Sequence, residues 1–220
     1  MILDPQPAYH GPAHAPVLVW RFPVPVRTLA SGALGGGWGE RAWVLNAEVD
    51  LSYDCRDPAA DLRAIAGGLG LDPATGVGLL TAARVRDVAC ADDTGAQCAA
   101  TVGLSHPTWA AAPDRDWSRW HAGTINLVCW VPQPLTHAAL VNAVATITEA
   151  KTQALLEAGV PGTGTASDAV VACCPAAPAA PADPSADATR YGGPRSVWGA
   201  RLARAVHAAV TEGTRRHLTA

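Results

Sequence analysis

The stretch "TITEAKTQALLEAGVPGTGTASDAVV", Thr146–Val171, sets the architecture of this chain. Its first half continues a helix that opens at Thr136, a side-chain cap for the first turn. The helix stops at Gly159, with Pro161 just beyond. Leu140, Val144, Ile147, Ala154, Leu155 and Ala158 recur at helical spacing and mark its apolar stripe. The second half turns through "GTGTASD" (162–168) and enters "SDAVVACC" (167–174), a strand with apolar residues on both faces. A long amphipathic helix thus leads directly into a buried strand.

The same stretch holds Lys151, the chain's sole lysine; every other cationic side chain is arginine. Lys151 follows Ile147 by four residues and Val144 by seven, so it sits within the apolar stripe. Glu149 lies roughly 200° away around the helix and cannot face it. A buried ammonium needs a carboxylate or loses its proton. Asp168, at the mouth of the next strand, is the partner the sequence offers. The plainer alternative is an ammonium that reaches water past the stripe.

Working outward, "VLVWRF" (17–22) and "VRTLAS" (26–31) read as two strands. "RAWVLNAEVDL" (41–51) alternates with period two, as a half-buried strand does. "DPAADLRAIAGG" (57–68) is a short helix with Asp57 as cap and Pro58 in the first turn. Segments 76–85, 86–91 and 97–104 read as strands, with "DDTG" (92–95) as a hairpin turn. A tryptophan-rich loop (105–122) precedes the strand "GTINLVCWV" (123–131). Trp198, Leu202, Val206 and Val210 give a C-terminal helix its core face. The order predicts an α+β fold: one domain with a mainly antiparallel or mixed sheet, packed with a long central helix and a C-terminal helix. Residues 1–15, rich in Pro, His and Gly, are expected as a flexible tail ahead of a domain spanning 16–220. "PAAPAAPADPSADATRYGG" (175–193) is expected as a disordered insert.

With 220 residues, 49% of them apolar, the chain can build a core. Its formal charge of −3 offers no footprint for nucleic acid and no basic patch for a membrane surface. No run reaches the roughly 18 apolar residues of a membrane span, and the N-terminus lacks the pattern of a signal peptide. The six cysteines include no Cys-x-x-Cys pair and read as free thiols. A cytoplasmic protein is the resulting expectation. No histidine cluster supports a metal site, since His106 and His121 only flank the tryptophan loop.

Asn46 and Asn126 each interrupt an apolar strand, with Thr124 on the same face as Asn126. Buried amides need partners, so they form either an internal clamp or a hydrogen-bonding wall for an amide-rich ligand. Thr163, Thr165 and Ser167 in the glycine–threonine turn add hydroxyls beside Lys151 and Asp168. The turn lacks the Gly-Lys-Ser/Thr of a phosphate loop, which argues against a nucleotide-binding protein.

Taken in order, "SGALGGG" (31–37), Asn46 in "VLNAEV", "GLLTAA" (78–83), "TVGLS" (101–105), "GTIN" (123–126), "TEAKT" (148–152), "GTGTASDAVV" (162–171) and "YGG" (191–193) resemble the adenosylcobinamide amidohydrolase family. The resemblance runs from about residue 26 to the C-terminus. The sequence departs in its long Pro/Ala insert and in "LSHP" (104–107). The resemblance implies hydrolysis of the amide that joins the corrin side chain to aminopropanol, giving adenosylcobyric acid and 1-aminopropan-2-ol in cobamide salvage. The partner is then a corrinoid, with no cofactor of the protein's own; cobalt enters only within the substrate. Glu149, Lys151 and Asp168 become candidate catalytic residues, and Asn46, Thr124, Asn126, Thr163, Thr165 and Ser167 candidate substrate-binding ones. Two schemes fit. Glu149 or Asp168 activates water while Lys151 or loop N–H groups hold the oxyanion, or a turn hydroxyl attacks with Lys151 as base. A corrinoid-binding protein without catalysis is the alternative, and whether chains pair into a homo-oligomer stays open.

Overall fold

A computed structural model of the chain describes residues 3–113, 123–176 and 190–219. Its strands are β1 (Gln6–His10), β2 (Ala15–Ala30), β3 (Gly37–Glu48), β4 (Gly76–Thr81), β5 (Ala89–Asp93), β6 (Ala96–Val102), β7 (Ile125–Trp130) and β8 (Ala169–Pro175). Its helices are α1 (Pro58–Gly68), α2 (His137–Glu157) and α3 (Val197–Thr219). All strands join one sheet of order β4-β3-β2-β8-β7-β6-β5, with β1 added beside β2. The pairings are antiparallel except β3 with β4 and β7 with β8, each joined through a helix. This is the expected α+β domain with a mixed sheet, a long helix and a C-terminal helix.

The two strands expected at 17–22 and 26–31 are one, β2. Pro23 and Pro25 have no N–H to give a ladder, so the register against β3 breaks between Arg21 and Val26. Beyond the break the other neighbour of β2 changes from β1 to β8. The N-terminal residues also differ from the expected tail. Gln6–His10 form β1, and Leu3 is buried, its N–H donating to Gln97 Oε1 at 3.0 Å. Composition alone could not reveal these partners, because they lie far along the chain. Most of the Pro/Ala insert, 177–189, lies outside the described residues. Its last residues are docked, with Thr146 Oγ1 donating to the Gly192 carbonyl at 2.9 Å.

Local signals set the element ends. Asp57 and Thr136 cap α1 and α2 by accepting from Ala60 N and Ala139 N. Gly159, at φ +75°, follows α2 where a left-handed residue is needed. Thr94 and Gly95, both at positive φ, make the two-residue turn between β5 and β6.

Helices α2 and α3 cover one face of β6, β7 and β8. Cys98, Ala100, Leu127 and Cys129 meet Leu140, Ile147, Leu155, Leu202 and Val206 there. Helix α1 covers β2–β4 through Leu62 and Ala66 on Val19, Trp43 and Leu45. The remaining face closes on itself. Trp20, Val44 and Leu79 from β2–β4 share a core with Ala99, Val128, Trp130 and Val171 from β6–β8. The sheet is therefore curled, and strands distant in its order face each other across an apolar interior. Among the described residues no helix is long and apolar enough to cross a membrane.

Candidate active site

The parallel pairing of β7 with β8 sets Asn126 opposite Ala169. The residues just before each strand, Thr124 and Ser167–Asp168, therefore meet at one end of the sheet. The continuation of β2 arrives at the same place. Ser31 N–H donates to Val170 O and Ser31 Oγ accepts from Val170 N–H, both at 2.9 Å. Leu34 then exchanges backbone hydrogen bonds with Gly78 of β4. The segment 31–34 thus bridges β8 to β4.

Between these walls lies a cavity of 590 Å³. One side is polar, with Ser31, Thr124, Ser167 and Asp168; Leu79, Leu80 and Ala169 are apolar, and the loop after β3 contributes Val49, Tyr53, Asp54 and Cys55. Thr124 Oγ1 and Ser167 Oγ lie 2.9 Å apart, and Ser167 also donates to the Gly123 carbonyl at 3.0 Å.

Lys151 and Asp168 are brought together as an ion pair, with side chains 8% and 14% exposed. The helix stripe buries the ammonium, and the carboxylate meets it across the bend. Asp168 Oδ1 accepts from Ile125 N–H at 2.9 Å and contacts the Thr165 hydroxyl. Asp168 Oδ2 accepts from Lys151 Nζ and from Thr165 N–H at 3.1 Å. Two backbone N–H groups and the Lys151 ammonium thus hold the carboxylate, and the Thr165 hydroxyl lies between it and the Gly123 carbonyl. Gly164 packs directly on the pair; a Cβ there would collide with both Lys151 Nζ and Asp168 Oδ2. Asp168 lines the cavity, whereas Lys151 stands outside its lining.

The other candidates separate into groups. Glu149 is exposed on α2, in a shallow depression with Ala145 and Gln153 away from the cavity. Asn46 and Asn126 lie buried in the curled interior. Asn126 Nδ2 donates to Asn46 Oδ1 at 2.9 Å and to Leu80 O at 2.8 Å, and Asn46 Nδ2 donates to Thr101 Oγ1 at 2.9 Å. These bonds tie β3 and β4 to β6 and β7 beneath the cavity. Thr163 Oγ1 accepts from Ala110 N at 3.0 Å and holds the loop after β6, not the cavity wall. Thr165 Oγ1 lies 2.6 Å from the Gly123 carbonyl. Trp109 is exposed; Trp117, Trp120 and His121 lie outside the described residues.

A family model described as adenosylcobinamide amidohydrolase matches residues 4–220. The chain belongs to the adenosylcobinamide amidohydrolase family. A relative named adenosylcobinamide amidohydrolase, from Methanosarcina mazei, is 32% identical over 141 residues, covering 64% of this chain and 66% of the relative. The match thus spans slightly less than two thirds of that protein. The crystal structure of the PH0078 protein from Pyrococcus horikoshii OT3 aligns over 100% of this chain and 82% of its own, at 13% identity and a TM-score of 0.48.

For a member of the adenosylcobinamide amidohydrolase family, the loop after β3 is the part of the site that residue patterns missed. Tyr53 hydroxyl donates to Asp61 Oδ2 at 2.8 Å, joining that loop to α1. Burial, then the bond to Asp61, pushes the Tyr53 phenol far above its ordinary range. Asp61 is held below the usual carboxylate range by the Tyr53 and Cys55 hydrogen bonds. Nothing local in "LSYDCRDP" (51–58) signals that it borders a cavity, because the opposite walls come from residues 124 and 167.

Proposed function

We propose that this chain hydrolyses the amide linking the corrin side chain of adenosylcobinamide to aminopropanol, releasing adenosylcobyric acid and 1-aminopropan-2-ol. The observation that carries the reading is the cavity where β7, β8 and the end of β2 converge, in a chain of this family. Its volume is in the range of small-molecule sites. It holds the amide-bearing arm, while the wider ring rests at its mouth. Apolar Leu79 and Leu80 suit the methylene chain, and Ser31, Thr124 and Ser167 offer hydrogen bonds to the amide and the terminal hydroxyl.

In this reading Lys151 and Asp168 position the site. Through the N–H groups of Ile125 and Thr165 that Asp168 accepts from, the pair fixes the Thr165–Ser167 wall against the start of β7. Glu149, exposed and apart, takes no part in the reaction. Asn46 and Asn126 hold the interior beneath the cavity closed.

The test is direct. Purified protein is incubated with adenosylcobinamide, with and without chelator, and free aminopropanol is measured by mass spectrometry. Release in both conditions is the expected result. Tight corrinoid binding with no release would reject hydrolysis and leave a binding protein.

A further inference from the structure

We propose that Asp54 is the general base of this hydrolysis and that the Ser31–Ala33 turn of the same cavity holds the oxyanion. The inference rests on the amidohydrolase reading above. Amide hydrolysis needs a group to take a proton from water, donors for the carbonyl oxygen as it becomes anionic, and a proton for the leaving nitrogen. Asp54 and Asp168 are the carboxylates that line the cavity. Asp168 is neutralised by Lys151 and already accepts from the N–H groups of Ile125 and Thr165, which makes it a poor base. Asp54, exposed at the cavity rim, has no hydrogen bond or ion pair among the described residues, so its carboxylate is free to take a water.

The Ser31–Ala33 turn supplies the donors. The Ser31 oxygen accepts from Val170 N–H, and among the described residues its own proton is donated to no acceptor. Gly32 and Ala33 also line the cavity, and their N–H groups donate to no acceptor among the described residues. The turn is held firmly. Ser31 is tied to β8 and Leu34 to β4, and a Cβ on Gly32 would stand 2.8 Å from Val77 Cγ1 and 2.9 Å from Gly78 O. Donors fixed in this way need no reorganisation when charge develops.

The steps balance. A water oxygen bonds to the amide carbon while Asp54 takes one of its protons. The carbonyl π pair moves onto oxygen, where the Ser31 hydroxyl and the turn N–H groups meet it. The oxyanion pair then re-forms the C=O bond as the C–N bond breaks, the C–N pair stays on nitrogen, and Asp54 returns the proton to that nitrogen. The products are a carboxylic acid and an amine, which ionise in water, and Asp54 is again a carboxylate.

The test compares wild-type protein with Asp54→Asn and Asp54→Ala on adenosylcobinamide. We expect kcat to fall by roughly 10²–10⁴-fold in both, the scale of a lost general base, with KM changed only a few-fold. Added formate should restore part of the Asp54→Ala rate, and melting temperatures should stay near wild type. Ser31→Ala should lower kcat by roughly 10²-fold, the scale of one oxyanion donor. Asp54→Asn that keeps most of its activity overturns the proposal. So does a loss that formate does not rescue and that comes with a lower melting temperature, since that marks a structural role. Wild-type protein that releases no aminopropanol fails differently, by rejecting the amidohydrolase reading itself.

Discussion

Replacing Lys151 with methionine should destabilise the fold far more than removing a surface lysine. Lys151 is 7% exposed as a residue and the Asp168 side chain 14%, so water reaches the pair only from the cavity side and screens it poorly. Methionine fills most of the lysine stem and leaves the helix stripe packed. What remains is a buried carboxylate that still accepts from Ile125 N–H and Thr165 N–H but has lost its countercharge. Breaking a buried pair from one side costs about 3–5 kcal/mol, against about 0–1 kcal/mol for an exposed one. The two retained N–H donors place the expected loss near the lower end, about 3 kcal/mol. In a chain of this size that lowers the melting temperature by roughly 6–12 °C. Urea denaturation of Lys151→Met, Asp168→Asn and the double variant measures the cost and the coupling. The double variant should lose less than the two single losses added together, because residues in one network do not act independently. A Lys151→Met loss below about 1 kcal/mol, with no coupling, would refute the buried pair.

Two other outcomes follow from single contacts. Gly164→Ala should lower the melting temperature by several degrees, since its Cβ falls where Lys151 and Asp168 meet; an unchanged melt would mean that the turn can move aside. His217 accepts from Leu104 N–H through Nε2, and burial, helped by the Arg84 charge, holds its pKa below the ordinary 6.5. The unfolded chain therefore binds more protons once pH falls below 6.5, so stability should decline from pH 7 towards pH 5. His217→Gln should flatten that decline in melting curves taken across the range, and an equal slope in both proteins would contradict it.

The helices were legible because their signals are local. Thr136, Asp57 and Gly159 act within one turn of their own positions, and the α2 stripe exposes its one misfit, Lys151, to simple counting. Asp168 could be named as its partner because a single short bend separates them. Strand partners were less legible. β1 looks like a tail until β2 is folded beside it, and the prolines that divide the sequence of β2 only shift its register. Their apolar strand neighbours marked Asn46 and Asn126 as amides in need of partners, but not that they would bond to each other, since that depends on how tightly the sheet curls. The loop carrying Tyr53, Asp54 and Cys55 was not legible at all. Its residue types are ordinary, and its importance comes from walls that the fold brings to it from residues 31–33, 79–82, 124 and 167–169.

The way those walls meet also bears on how the molecule acquires its activity. Ser31, Asp54, Leu79, Thr124 and Ser167 come from five remote stretches of chain. No hairpin or helical fragment contains even half of the hollow. Non-local pairings of this kind form late and slowly during refolding. Recovery of the proposed amide hydrolysis after dilution from denaturant should therefore lag behind recovery of helical signal, and a chain nicked between β4 and β7 should lose both walls together.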